Sequence, residues 1–244
     1  MKGVVLAGGL GTRLLPLTRI TNKHLLPIFD KPMIYYPLQT LINAGIDDIM
    51  IVTGGNNAGD FLRLLGNGKQ FGLKDISYTY QEGEGGIAEA LDLTKNFADG
   101  EKVLIVLGDN IIEKNVIKEK DEFEKQKEGA KILIKKVPHP SSFGVPELEG
   151  NKVIGIEEKP ENPKTDYAVI GIYMYDRRVF DIIKTLERSD RGELEITDVN
   201  NAYIKDGTMT CSILDGWWID AGSSPESLAK ATQLVIKTGA NNLK

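Results

Sequence analysis

Three glycines and an arginine stand close together in Leu6-Ala7-Gly8-Gly9-Leu10-Gly11-Thr12-Arg13-Leu14, directly after a short apolar run. Glycines let backbone amides approach phosphate oxygens with no Cβ in the way, and a helix N-terminus after such a loop favours negative charge. Arg13 adds a forked cation suited to a polyphosphate. The plainer reading is a glycine turn between strand and helix. A dinucleotide fingerprint would want a third glycine where the chain has Leu14, and the Gly-Lys-Ser/Thr ending of a P-loop is absent.

A second cluster, Asn22-Lys23-His24-Leu25-Leu26-Pro27, offers Lys23 as a point charge for a phosphate or, more blandly, as a solvated loop lysine. His24 and His139 are too far apart in sequence to suggest a metal site and read as structural or exposed. The third cluster, Leu107-Gly108-Asp109-Asn110, ends the most apolar run of the chain. A carboxylate at the carboxyl end of a buried strand is placed to hold a magnesium ion, which takes oxygen ligands and commonly also binds substrate phosphates. An Asp-Asn pair can equally be an ordinary turn. Trp217-Trp218-Ile219-Asp220-Ala221-Gly222 sets another carboxylate beside two aromatics. Core packing and a turn cap are the competing readings there. Glu158-Lys159-Pro160 could hold a sugar hydroxyl and a phosphate or be a charged strand end, and the segment from Asp190 to Asp198 offers Arg191 as a phosphate clamp or a capping pattern before a helix. Cys211 has no nearby base and reads as a small buried apolar residue.

Short apolar runs alternating with amphipathic stretches must position these groups. Val4–Ala7, Asp48–Thr53, Ile76–Tyr80, Val103–Leu107 and Ile132–Val137 read as strands, nearly continuous in Ile, Val and Leu where both faces are buried. Pro32–Asn43, Asn57–Leu65, Ile87–Phe97 and Asn115–Gln126 have helical spacing, with Gly45 and Gly66 as stops. Strand and helix in repetition predict an α/β fold, a Rossmann-like and mostly parallel sheet with helices on both faces. Prolines 138, 140, 146, 160 and 163 then predict an antiparallel excursion in the second half, with strands at Asn151–Glu157 and Tyr167–Tyr175. Helices at Asp176–Leu186 and Thr197–Lys205, a strand at Thr208–Leu214 and a capped helix at Pro225–Lys237 complete the chain. With no repeat and no linker, one domain of 244 residues is expected.

Thirty basic against 35 acidic residues give a net charge of −5. That balance argues against nucleic acid or an anionic membrane as partner. One cysteine removes an intrachain disulfide framework and any multi-cysteine metal site. No apolar run approaches the ~20 residues of a membrane span. The apolar start is too short for a signal peptide, so a cytoplasmic location is expected.

In this order the segments LAGGLGTRL, NKHLLPIFDKPMIYYPL, Gln81 with Gly86, LGDN, FGV, EEKP, YAVIGIY, RGELEITD and WWIDAG, spanning residues 4 to 222, resemble the glucose-1-phosphate thymidylyltransferases of the sugar-phosphate nucleotidyltransferase superfamily. The glycine-arginine loop is shared across the superfamily; DKPMIYYPL with RGELEITD is more specific to the thymidylyl branch. The resemblance implies a nucleotide-diphospho-sugar transferase fold, with a nucleotide-binding half of about 1–112 and a sugar-phosphate half of about 113–244. It implies that Leu6, Gly8, Gly9, Gly11, Thr12 and Arg13 lie along the nucleotide, with Gln81 and Gly86 on the pyrimidine. Arg13, Lys23 and Lys159 would be the catalytic cations, and Asp109 and Asp220 would bind Mg2+. Gly144, Glu158 and Val169 would meet sugar hydroxyls, and Lys159 and Arg191 the sugar 1-phosphate. The implied reaction condenses dTTP with glucose 1-phosphate into dTDP-glucose and pyrophosphate, with UTP as the alternative nucleotide and a homodimer as the expected assembly. His24, Phe143 and Ile170 stand where relatives often carry Gln, Tyr and Thr, the stretch Glu82-Gly83-Glu84-Gly85 is unusually acidic and glycine-rich, and the end of the chain is similar to short members without a C-terminal helical extension.

Two other classes of function are open to these loops. A nicotinamide-dependent oxidoreductase would need a ribose-binding acid at the end of the second strand, which instead reads Thr53-Gly54-Gly55. A non-catalytic nucleotide-sugar sensor would use the same loops, but retention of both aspartates and of the phosphate cations favours activity.

Overall fold

The computed structural model describes residues 1–55, 57–150 and 152–243. In chain order the first half contains β1 (Lys2–Ala7), β2 (Pro27–Ile28), β3 (Lys31–Pro32), α1 (Tyr35–Asn43), β4 (Asp48–Gly54), α2 (Ala58–Leu65), β5 (Asp75–Gln81), α3 (Ile87–Asp92), α4 (Lys95–Ala98), β6 (Val103–Leu107) and β7 (Asn110–Ile112). The second half contains α5 (Ile117–Lys125), β8 (Ala130–Lys136), β9 (Gly144–Glu149), β10 (Lys152–Glu158), β11 (Tyr167–Tyr175), α6 (Val179–Ile183), α7 (Ile196–Lys205), β12 (Met209–Ile213), β13 (Trp218–Asp220) and α8 (Pro225–Thr238). Both halves supply one seven-stranded sheet, ordered β12-β8-β11-β6-β1-β4-β5. β1, β4, β5 and β6 run parallel, β11 opposes both of its neighbours, and β8 and β12 run with the majority. The expected antiparallel excursion is the β9–β10 hairpin together with β11.

Strand alternation sorts the core onto the two faces. Val4 and Leu6 of β1 pack with Ala88 and Leu91 of α3, Val179 of α6, and Val199 and Tyr203 of α7. Val5 and Ala7 pack on the other face with Leu38 and Leu41 of α1, Phe61 and Leu65 of α2, and Phe123 of α5. A third, smaller core joins α8 to β2, β7 and β13 through Ile28, Ile111, Ile219 and Val235. Helices on both faces are thus as the sequence predicts. Among the described residues no helix is long and apolar enough to cross a membrane.

Several expectations need correction. No α-helix follows the glycine loop; the chain makes 3-10 turns at Thr12–Leu14, Leu17–Arg19 and Lys23–Leu25 instead. Pro16 explains this, since it lacks an amide hydrogen and disfavours helix in the residue before it. The helix expected from Pro32 begins at Tyr35, because Pro32 pairs with Pro27 in the β2–β3 ladder. The helix expected over Ile87–Phe97 splits in two where Thr94 Oγ1 donates to the Leu91 carbonyl at 2.7 Å, a local bond that competes with the helical ladder. Other ends move by one to three residues, and Asn151, the expected start of β10, lies outside the described residues. The final helix keeps its capping: Ser224 accepts from the Ser227 amide and Ser227 returns the bond.

Candidate active site

The chain passes from β1 to β4 and β5 on one side, then returns to β6 on the other side of β1. Ligands of open α/β sheets bind at such a reversal, outside the carboxyl ends of the strands. The glycine loop leaves β1 here, Asp109 follows β6, and Gln81 ends β5. β11 runs the other way, so its amino-terminal part, with Val169, reaches the same edge. A cavity of about 350 Å³ opens there. Leu6, Gly8, Gly9, Arg13, Lys23, Gln81, Gly86 and Asp109 line it from the first half, and Gly144, Glu158, Lys159, Val169, Arg191 and Asp220 from the second. Gly11 and Thr12 do not line it; Gly11 caps the turn that carries Arg13.

Lys23 is not a solvated loop lysine. Its Nζ lies 2.5 Å from Asp109 Oδ2, and both side chains are 10% exposed. Burial pulls the Lys23 ammonium down, but the Asp109 charge and hydrogen bond outweigh it and the net shift is upward. Burial likewise works against the Asp109 carboxylate, yet Lys23 and the amide of Asn110 hold it well below the usual carboxylate range. Among the described residues Asp220 faces the same cluster without a cation of its own at bonding distance: burial first, and the Asp109 charge second, push it up to about 7. Pairing of β13 with β7 sets Asp220 opposite Asn110, so the two carboxylates arrive from distant segments at one place. Asp220 Oδ1 also accepts from the Gly222 amide at 3.0 Å, so it caps its turn as well. A Cβ on Gly222 would stand 2.6 Å from Asp109 Oδ2 and 3.0 Å from Lys23 Nζ, so a side chain there would have to displace the Asp109 carboxylate.

Two buried carboxylates, one of them short of compensating charge, are a hard-oxygen pair that a divalent cation would relieve. No group of three or more His, Cys, Asp or Glu able to hold a metal occurs among the described residues. A two-carboxylate set is nevertheless what Mg2+ commonly uses, since waters and substrate phosphates complete its shell.

Asn110 and Asn22 are the groups the sequence did not single out. Asn110 Oδ1 accepts from Trp218 Nε1 at 2.7 Å and from the Gly171 amide at 2.9 Å, while its Nδ2 donates to Asp109 Oδ1 at 3.0 Å. One amide thereby joins β7, β11 and β13 around the acid. Its position beside Asp109 at a strand end was the available signal. Asn22 Oδ1 accepts from the His24 amide at 3.0 Å and lies 2.7 Å from His24 Nδ1, which fixes the proton on Nδ1. His24 is buried against Gly108, and burial, followed by the Lys23 charge, pushes it down to about 3. It is a neutral, buried residue at the wall of the cavity. His139 is exposed.

At the far end of the cavity, Gly144 and Glu158 face each other across the β9–β10 ladder. Glu158 Oε2 accepts from Thr197 Oγ1 at 2.7 Å. Lys159 follows with φ 46°, a left-handed backbone rare for a residue with a side chain and of the kind that collects at functional sites. Arg191 reaches the cavity already engaged: its guanidinium grips both oxygens of Glu195 at 2.8 and 2.9 Å and lies 3.6 Å from Glu158. A phosphate bound there would have to share that cation with Glu195. Phe143 packs edge-on against Trp218, centroids 5.3 Å apart, and both border the cavity. Trp217 sits outside it, with Nε1 donating to Thr238. Cys211 is half-buried on the edge strand β12 rather than buried, and burial pushes its thiol up to about 11, so it is a poor nucleophile.

The family model described as nucleotidyl transferase matches residues 2–238. A glucose-1-phosphate thymidylyltransferase of Neisseria meningitidis is 45% identical over 96% of this chain and 82% of its own length, and that of Mycobacterium tuberculosis is 42% identical over the same shares. A Bacillus anthracis structure described as a glucose-1-phosphate thymidylyltransferase in complex with a sucrose superposes with a TM-score of 0.93 at 48% identity, covering 97% of this chain and 96% of that one. A UDP-glucose pyrophosphorylase complexed with UDP-glucose superposes with a TM-score of 0.84 at 25% identity, covering 97% and 98%.

Proposed function

The chain belongs to the nucleotidyl transferase family, and we propose that it joins dTTP to α-D-glucose 1-phosphate, forming dTDP-glucose and releasing pyrophosphate. The observation that carries this reading is the meeting of two acids, several cations and an amide base-reader in one cavity at the sheet's switch point. The naming of relatives at 41–45% identity supports the choice of thymidylyl and glucosyl substrates.

In the proposed reaction an oxygen of the sugar phosphate attacks the α-phosphorus in line, and pyrophosphate leaves. Two anions must be brought together, and no side chain need bond covalently to either. The work is alignment and charge neutralisation, which preorganised cations in a buried cleft do well. Gly8 and Gly9 let backbone approach the triphosphate. Arg13 and Lys23 meet its phosphates and steady the leaving group. Lys159 and Arg191 hold the attacking phosphate, and Glu158 with the backbone of Gly144 and Val169 orients the hexose. Asp109 and Asp220 would hold Mg2+, which supplies charge stabilisation at the phosphates. The first half of the chain, about 1–112, takes the nucleotide and the second half the sugar phosphate, within one domain. A cytoplasmic location and a homodimer are part of the same proposal.

Pyrophosphate release measured for dTTP, UTP and dCTP against several hexose 1-phosphates tests it. The expected result is fastest turnover for dTTP with glucose 1-phosphate. A faster rate with UTP moves the base assignment and keeps the chemistry, whereas no release with any pair leaves a binding protein and refutes the proposal.

A further inference from the structure

Gln81 ends β5, is 6% exposed and lines the cavity. Its Nε2 faces two groups that can only accept: the Gly86 carbonyl at 3.1 Å and Glu89 Oε1 at 3.3 Å. A carboxamide flipped the other way would aim its oxygen at both, so the pair of acceptors decides its orientation. The oxygen, Oε1, is thereby turned over the Cα of Gly8, where an added Cβ would meet it at 2.7 Å. Among the described residues no hydrogen bond reaches that oxygen, so an unpaired acceptor open to the cavity is offered to whatever base enters.

Glu89 is held in turn. Arg188 donates from Nη2 to Glu89 Oε2 at 2.5 Å and from Nη1 to the Gly192 carbonyl at 2.7 Å. The Glu89 carboxylate lies directly on Gly85, where a Cβ would fall about 2 Å from its atoms. Gly85 therefore has a steric reason: its bare Cα leaves room for this carboxylate.

We propose that Glu89, anchored by Arg188, is a positioning residue that locks the Gln81 carboxamide with its oxygen toward the base, so that the site reads a pyrimidine N3–H and rejects cytosine. Thymine and uracil carry a hydrogen at N3; cytosine presents a lone pair there, which would face the lone pairs of Oε1. Rejection by a fixed polar group left unpaired is the strongest kind available to a binding site. The inference rests on the reading of Gln81 as the base contact in the proposed reaction.

The test compares dTTP and dCTP, each with glucose 1-phosphate, in the wild type, E89A, E89Q and R188A. The dTTP/dCTP ratio of kcat/KM should fall about tenfold or more in E89A, chiefly through a higher KM for dTTP and a lower one for dCTP. E89Q should keep most of the discrimination, because its side-chain oxygen still accepts from Gln81 Nε2. R188A should fall between them. An E89A enzyme that turns over dTTP with a ratio within about twofold of wild type overturns the proposal. Should E89A fail to fold, R188A at its half-exposed position decides by the same criterion. A wild type inactive with both nucleotides instead refutes the proposed reaction and this inference with it, whereas an active wild type with indifferent variants overturns this inference alone.

Discussion

Replacing His24 by glutamine should remove a pH dependence of stability whose size follows from the surroundings of the imidazole. His24 is 2% exposed, keeps its proton on Nδ1 for Asn22, and turns Nε2 toward Gly108 beside the Lys23 ammonium. Burial, then Lys23, push it down to about 3, against 6.5 in an unfolded chain. The folded state therefore binds a second imidazole proton less readily than the unfolded state, so acid favours unfolding. The His24 contribution is fully present above about pH 6.5 and declines as pH falls toward about 3, at about 1.4 kcal/mol per unit. Between about pH 7.5 and about pH 5 the decline covers about 1.5 units, or about 2 kcal/mol. Glutamine does not titrate, and the rest of the chain is common to both proteins. Urea unfolding of wild type and H24Q at both pH values should thus give a stability difference that shifts by about 2 kcal/mol in favour of H24Q at the lower pH. A double difference within about 0.5 kcal/mol of zero would show that the folded protein protonates His24 with ordinary affinity, and the burial argument would fail.

Asp109→Asn should abolish measurable turnover at saturating magnesium, and a near wild-type rate would remove Asp109 from the chemistry. Because Asp109 neutralises a buried lysine, the same change should also cost about 3–5 kcal/mol in urea unfolding while leaving one cooperative transition. Gly222→Ala should push the Asp109 carboxylate aside, since the added Cβ falls 2.6 Å from Oδ2; about 1–3 kcal/mol of stability and about tenfold or more in kcat should be lost, and an enzyme of unchanged kcat would show that the acid has room to move. Chelation of divalent ions should stop pyrophosphate release and added Mg2+ should restore it; full activity after exhaustive chelation would remove the metal from the reading of Asp109 and Asp220.

Local signals made the main features legible. A glycine-rich stretch after β1 and an acid after the most apolar strand announce themselves within a few residues, and strand alternation with helical spacing is enough to place both at one edge of a sheet. Whatever depends on a partner far along the chain was hidden. Lys23 is a loop lysine until Asp109, 86 positions away, is seen against it. Glu89 is one more surface acid until Arg188, 99 positions on, fixes it. The helix expected after the glycine loop failed for a reason the sequence did contain, Pro16, whose effect on the residue before it outweighs the pull of a familiar strand–loop–helix pattern.

The order of the strands has a metric consequence. Read across the sheet from β5 through β4, β1 and β6 to β11, the residues proposed for base, phosphates and hexose come in the order in which those parts are joined in a nucleotide sugar, with Asp109 between the last two. Adjacent strands are ~4.8 Å apart, so the four steps span about 19 Å along the edge. The sheet is in effect a ruler. On the proposed assignment, one phosphate more or fewer in the bridge would shift the hexose from Val169 of β11 by a good part of a strand's width, so backbone spacing alone would favour a diphosphate.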